Sequence, residues 1–183
     1  EESIFQPEWS PDGVLYFVSD RSGWWNLYRW VSGKIEAVQS MEAEFGMPQW
    51  QFGMSTYSFE SAERMVCVYT RLSRWHLATI DLATKRMTVI DLPYTYIQSP
   101  HVLPGKVLFI AGSASQPAAI VLFDLATGQS QVLRRSIEIG LPAGYFSTPQ
   151  VIEFPTENGL TSYANYYPPA NPDYRAPAGE LPP

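Results

Sequence analysis

A repeat constrains this chain more than any other feature. The triplet Pro7-Glu8-Trp9 returns as Pro48-Gln49-Trp50, Pro100-His101-Val102 and Pro149-Gln150-Val151. The spacing is about 40–50 residues, the length of one four-stranded blade. A second landmark recurs independently, since Asp81-Leu82-Ala83-Thr84 and Asp124-Leu125-Ala126-Thr127 are identical. Each precedes an alternating run of strand type, Arg86 to Ile90 and Gln129 to Leu133.

Inside the first unit the strand signals are dense. Val14-Leu15-Tyr16-Phe17-Val18 is β-branched and aromatic, and is bounded by Asp12-Gly13 and by Asp20-Arg21-Ser22-Gly23. Trp25 to Trp30 is a second such run, and Ser32-Gly33 turns the chain into Lys34-Ile35-Glu36-Ala37-Val38, which alternates as a half-exposed edge strand does. With the segment leading to Trp9, that makes four strands. No segment carries a 3.6-residue apolar period of helical length. The expected fold is all-β: a partial β-propeller of about three four-stranded antiparallel blades, a C-terminal hairpin and a Pro-rich extended tail. The blades are expected at about 3–40, 46–91 and 97–133, within a propeller portion spanning 1–135.

The fourth unit differs. Residues 136–147 read as a linker containing Gly140-Leu141-Pro142-Ala143-Gly144. Val151-Ile152-Glu153-Phe154 and Leu160 to Tyr167 then form one hairpin across Pro155-Thr156-Glu157-Asn158-Gly159, where Asn-Gly is a strong turn signal. From Pro168 onward proline recurs too often for a ladder that needs amide donors, so 170–183 reads as an extended linker.

Composition narrows the function classes. The chain is 45% hydrophobic and 14% aromatic, which excludes a disordered segment. Its net charge is -6, and its basic residues are scattered with no cluster larger than a pair such as Arg71 and Arg74, so no nucleic-acid surface is expected. No apolar run reaches the roughly 18 residues of a membrane span. The single cysteine, Cys67, lies in an apolar strand run and reads as a small buried hydrophobe. A chain without internal disulfides suits a reducing compartment, and a cytoplasmic location is expected.

The run Trp9-Ser10-Pro11-Asp12-Gly13, then Ser19-Asp20-Arg21-Ser22-Gly23 and Asn26-Leu27-Tyr28, resembles the blade repeat shared by TolB-type propellers and the prolyl oligopeptidase family of serine peptidases. Pro-Asp-Gly suits a tight turn between the first two strands, and the glycine of Asp-Arg-x-Gly a left-handed backbone. In the second unit Gln51-Phe52-Gly53-Met54 stands where Ser-Pro-Asp-Gly is expected, and the third keeps only Leu103-Pro104-Gly105-Lys106. The C-terminal segment separates the two families. Thr148 to Phe154, followed by Asn158 to Pro169, resembles the passage out of the propeller in the acylaminoacyl-peptidase-like branch of the peptidases. There such a hairpin opens an α/β-hydrolase domain, which would make 148–169 the entry hairpin of that domain. Ala178-Gly179-Glu180-Leu181-Pro182-Pro183 looks like the approach to its first central strand.

The resemblance implies acyl transfer by a Ser-His-Asp triad, but the chain carries no G-x-S-x-G elbow for the serine. Its only histidines, His76 and His101, lie inside blades, so no catalytic residue is assigned and the triad is expected beyond Pro183. No metal or cofactor pattern stands out. The resemblance therefore implies a non-catalytic propeller fragment that gates short peptides into a serine peptidase and packs on its hydrolase domain. Arg71, Arg74 and Trp75, in a tight link between two strands, are the candidate substrate-binding residues. Trp24, Trp25 and Trp30 read chiefly as core. The alternative is a TolB-like, non-enzymatic protein-binding propeller. Three blades cannot close a ring, so the end blades are expected to expose apolar faces through which the chain can form a homodimer.

Overall fold

Alternation explains the architecture from the second sheet outward. Met65-Val66-Cys67-Val68-Tyr69 is fully buried, as a strand covered on both faces requires. Met65, Cys67 and Tyr69 enter one core, with Phe5, Tyr16, Val18 and Leu27 of the first sheet. Val66 and Val68 enter another, with Val107, Phe109 and Val121 of the third. The sheets thus stack in sequence order through two apolar seams. Each buried aliphatic or aromatic side chain there contributes about 1.5–3 kcal/mol of transfer free energy.

A computed structural model describes residues 1–50, 52–177 and 179–180. The first sheet is a meander of β1 (Ile4–Trp9), β2 (Leu15–Ser19), β3 (Asn26–Val31) and β4 (Lys34–Ala37). The second contains β5 (Tyr57–Phe59), β6 (Arg64–Arg71), β7 (Arg74–Asp81) and β8 (Met87–Ile90). The third contains β9 (Tyr96–Leu103), β10 (Lys106–Ser113), β11 (Gln116–Asp124) and β12 (Ser130–Arg135). All pairings are antiparallel. The fold is therefore all-β, with three blade-like four-stranded sheets and a separate two-stranded hairpin, β13 (Gln150–Pro155) with β14 (Thr161–Tyr166).

The turns follow the chemistry of their residues. Gly13 and Gly23 adopt φ of 81° and 85°, which lets each close its turn by donating to Ser10 O and Asp20 O. The two Asp-Leu-Ala-Thr turns form the same way. Asp81 Oδ1 accepts from the Thr84 amide at 2.7 Å, and Asp124 Oδ1 from the Thr127 amide at 2.9 Å. The Thr84 hydroxyl and then its amide at Asp81, and the Thr127 amide and then its hydroxyl at Asp124, hold both exposed carboxyls below their ordinary pKa.

The second unit departs from the sequence expectation. Pro48-Gln49-Trp50 lies in the long connection after β4, whereas its counterparts at 7–9 and 100–102 lie inside β1 and β9. Phe59-Glu60 to Arg64 fills the place held by Trp9-Ser10 to Val14. The Glu60 amide donates to Arg64 O at 2.9 Å, as the Ser10 amide does to Val14 O at 2.8 Å. Gln51-Phe52-Gly53-Met54 therefore is not the β5–β6 turn, and Gln51 itself lies outside the described residues. Register against β6 explains the shift, because burying Tyr57 opposite Cys67 sets β5 nine residues later than the proline landmark suggests.

The connection from β4 to β5 is held against the first two sheets. Glu44 bridges Thr70, and Gly46 packs where a Cβ would stand 2.0 Å from the Trp25 ring. Beyond β12 most residues are exposed. Ser147 donates to the Pro168 carbonyl and Tyr145 to Asp173, so the segment before the hairpin is tied to the one after it. The tail expected at 178–183 falls largely outside the described residues.

Candidate functional site

Hairpin connectivity brings the predicted residues to one end of the stacked sheets. The β6–β7 and β10–β11 tips, the start of β9 and the end of β12 share that end, as backbone bonds between the second and third sheets and within the third demonstrate. The Trp75 amide donates to Thr95 O at 3.1 Å, the Thr95 amide to Gly112 O at 3.0 Å, and the Ser136 amide to Ala118 O at 2.8 Å. The chain leaves the third sheet from the end that carries Arg71, Arg74 and Trp75.

Arg71 and Arg74 pair directly across the hairpin. Between them Leu72 and Ser73 both adopt left-handed φ, of 49° and 59°. A two-residue hairpin turn demands that geometry, and glycine or asparagine usually supplies it. Like charges opposite one another disfavour the pairing. Among the described residues neither arginine bonds a carboxylate. Both are exposed, and they stand as two unneutralised cations at a strained tip.

Aromatic rings back this tip on both faces of the sheet. Tyr69 stacks on His76 with centroids 5.0 Å apart and on Phe45 at 5.1 Å. On the other face Trp75 meets Tyr96 edge-on at 6.3 Å. Burial, then the charges of Arg74 and Arg71, hold the His76 pKa below the ordinary imidazole value. A cleft of about 360 Å³ runs along this end, lined by Arg74, Trp75, His76, Asp91 and Tyr94. Its members can bind an anionic group beside an aromatic wall. Among the described residues neither His76 nor His101 hydrogen-bonds a serine or a carboxylate, and no three metal-ligating side chains cluster.

The other tryptophans divide. Trp25 packs into the first seam, edge-on to Phe5 at 6.0 Å. Trp24 and Trp30 are 40% and 53% exposed, so the expectation of core placement fails for them. Cys67 is wholly buried, and burial alone pushes its thiol pKa far up, which makes it a packing residue.

Sequence reasoning missed a second concavity. The first strands of the three sheets converge on a groove of about 390 Å³ that contains Gln6, Glu8, Ser55, Tyr57, Ser99 and His101. Two β-bulges shape it, at Gln6 (φ 46°) and Ser99 (φ 52°), each just before a proline. The Gln6 side chain locks β1 to the second sheet. Its Oε1 accepts from the Thr56 amide at 2.8 Å, its Nε2 donates to Tyr57 O at 2.8 Å, and the Tyr57 hydroxyl donates back to Gln6 O at 2.5 Å. The recurring residue-before-proline in Gln6-Pro7 and Ser99-Pro100 was the available signal.

No helix among the described residues is long and apolar enough to cross a membrane. No family model and no curated protein matches the chain. Solved structures do. A puromycin-hydrolysing peptidase of Mycobacterium tuberculosis superposes over 100% of this chain with a TM-score of 0.91 at 30% identity. A puromycin hydrolase matches equally fully, with a TM-score of 0.90 at 30% identity. Prolyl oligopeptidase B from Galerina marginata covers 89% of the chain at 12% identity with a TM-score of 0.63, a likeness of fold alone. The chain spans 28% of each puromycin-hydrolysing relative and 22% of the oligopeptidase. This chain is thus similar, over its whole length, to one part of the puromycin-hydrolysing peptidases.

Proposed function

We propose that residues 1–135 form the C-terminal part of a β-propeller in a longer serine peptidase that hydrolyses short peptides. In this reading 136–147 is a linker, 148–169 the entry hairpin of an α/β-hydrolase domain, and 170–183 the Pro-rich path toward it. The propeller gates access to an enclosed serine site and supplies no catalytic group. The observation that carries the reading is the superposition of the whole chain, at 30% identity, on 28% of a puromycin-hydrolysing peptidase. Three meander sheets stacked in order, with their first strands around one groove, suit a propeller sector.

Within that reading Arg71 and Arg74 hold a peptide carboxylate and Trp75 walls the site. Support comes from the two unneutralised guanidinium groups opposite one another and from their position at the end from which the chain departs. In the full-length enzyme, replacing both arginines by alanine raises KM for free-carboxylate peptides about tenfold or more and leaves C-terminally amidated peptides unaffected. Unchanged kinetics on both substrates would remove the assignment. Deleting the propeller should let the enzyme cut long or folded polypeptides that the intact protein spares. A parent that hydrolyses no short peptide would overturn the gating reading.

Both outer sheet faces carry exposed apolar side chains, Trp9, Trp30 and Ile35 on the first sheet and Ile110 and Ile120 on the third. In the isolated chain these faces drive homodimerisation. Sedimentation that returns only monomer at high concentration would count against it.

A further inference from the structure

We propose that the two outer faces of the stack are complementary halves of one interface, through which two copies of this chain join head to tail. The first sheet of each copy meets the third sheet of the other, and three sheets from each copy close a ring of six. The pairing rests on reading the three sheets as a propeller sector, and it assigns which face meets which and how many copies close the ring.

Strand register fixes the faces. In the first sheet Leu15 stands opposite Trp30 and Phe17 opposite Tyr28. The same positions hold Met65 opposite Ile80 and Cys67 opposite Ala78 in the second sheet, and Val107 opposite Phe123 and Phe109 opposite Val121 in the third. The second-sheet set is buried against the first sheet, and the third-sheet set against the second. These positions are therefore the rear face of each sheet. Alternation puts the intervening residues on the front. The front is Tyr16, Val18 and Leu27 in the first sheet, and Val66, Val68 and Leu77 in the second. In the third it is Leu108, Ile110, Ile120 and Leu122. In both seams a front face meets a rear face.

Two faces remain without such a neighbour among the described residues, the rear of the first sheet and the front of the third. Both are apolar and open, with Trp30 53% exposed on the rear face and Ile120 41% exposed on the front. Trp9, opposite Leu15, and Ile35, opposite Trp30, widen the rear patch. A second copy placed front to rear repeats a contact the chain already makes twice, whereas a contact between like faces has no counterpart within it. A head-to-tail contact is heterologous, so it leaves a free face at each end until the ring closes. Propeller rings contain about 4–8 blades. Two copies supply six sheets and three copies nine, so closure falls at two. The first contact makes the second intramolecular, which strengthens the pair without any new kind of contact.

The test is sedimentation velocity with light scattering on this 183-residue chain and two variants. Trp30→Glu places a carboxylate on the rear face and Ile120→Glu one on the front. Both positions are exposed in the single chain, and circular dichroism checks that the strands persist. The unaltered chain should form a dimer and nothing larger. Each variant alone spoils both contacts of the ring and should dissociate at least about tenfold more readily, because a carboxylate is costly to bury unpaired. An equimolar mixture restores one contact, the intact front of Trp30→Glu against the intact rear of Ile120→Glu. It should associate at least about tenfold more tightly than either variant by itself. A variant that alone dimerises as the unaltered chain does would show that like faces meet, and would overturn the proposal. So would a mixture no tighter than its parts, an unaltered chain that stays monomeric, or an open-ended series of larger species. Because no turnover is read, a parent that cleaves no peptide removes the gating reading without touching this result. A dimer of like faces refutes the head-to-tail pairing and leaves the gating reading standing.

Discussion

The two seams that join the three sheets are built differently. The seam between the first and second sheets is crossed by side-chain hydrogen bonds. Gln6 bonds Thr56 and Tyr57, Arg29 donates to Leu82 O, Gln39 to Lys85 O, and Lys85 to Ala37 O. The seam between the second and third sheets has apolar packing around Leu77, Phe109 and Val121, with a backbone bond from Trp75 to Thr95. All five methionines accompany the first seam and none the second. Apolar burial supplies most of the free energy in both. Directional bonds add uniqueness of register, which non-directional packing supplies poorly. The sheet whose first strand is short, β5 with three residues, is the one that β1 braces.

The comparison can be broken at its apolar side first. Phe109 is 1% exposed, and Phe109→Ala should cost about 3–5 kcal/mol in chemical denaturation. A loss below about 1 kcal/mol would mean that the second seam adds little. At the first seam, Gln6→Ala strands the Thr56 amide and should cost about 1–3 kcal/mol. Cys67 lies in that seam, so its labelling by a thiol reagent should accelerate in Gln6→Ala more than in Phe109→Ala. Equal acceleration would show that the seams open as one unit. Tyr57→Phe removes only the hydroxyl that donates to Gln6 O and should cost about 0.5–1.5 kcal/mol.

The smallest effect is expected outside both seams. Arg21, then Ser19, hold the exposed Glu2 carboxyl at about 2, down from 4.5. A lowered folded-state pKa gives stabilisation that is complete above about 4.5 and lost as pH falls toward about 2. Because the pair is solvent-screened the loss is slight. Glu2→Gln should flatten the denaturation midpoint over that window, with its small cost present at pH 7 and gone once the carboxyl is protonated near pH 2. An undiminished acid dependence would assign it to other carboxylates.

Local chemistry was readable where it depends on neighbours in the chain. The Asp-Leu-Ala-Thr turns, the glycines at 13 and 23, and the hairpin around Asn158-Gly159 are set by residues within a few positions, and each forms where its sequence demands. The second sheet was misaligned because the landmark chosen there, Pro48-Gln49-Trp50, resembles its counterparts only in composition. What fixes β5 is its register opposite Met65 and Cys67, a long-range property. For the candidate site, residues close in the chain were found and residues on different strands were not. Arg71, Arg74 and Trp75 belong to one hairpin, whereas Glu8, Tyr57 and Ser99 meet only when three sheets stack.

The sequence by itself determined the number of sheets, their antiparallel meander order and their turns outside the second sheet's first hairpin. Alternation and turn chemistry are local, and the repeat declares the unit. Only the tertiary structure decided which end of the stack carries the paired arginines, where β5 begins, and that a lone carboxylate on β1 faces serines and a histidine from two other sheets. Those outcomes follow from packing two faces of the middle sheet at once, a condition that no single strand encodes.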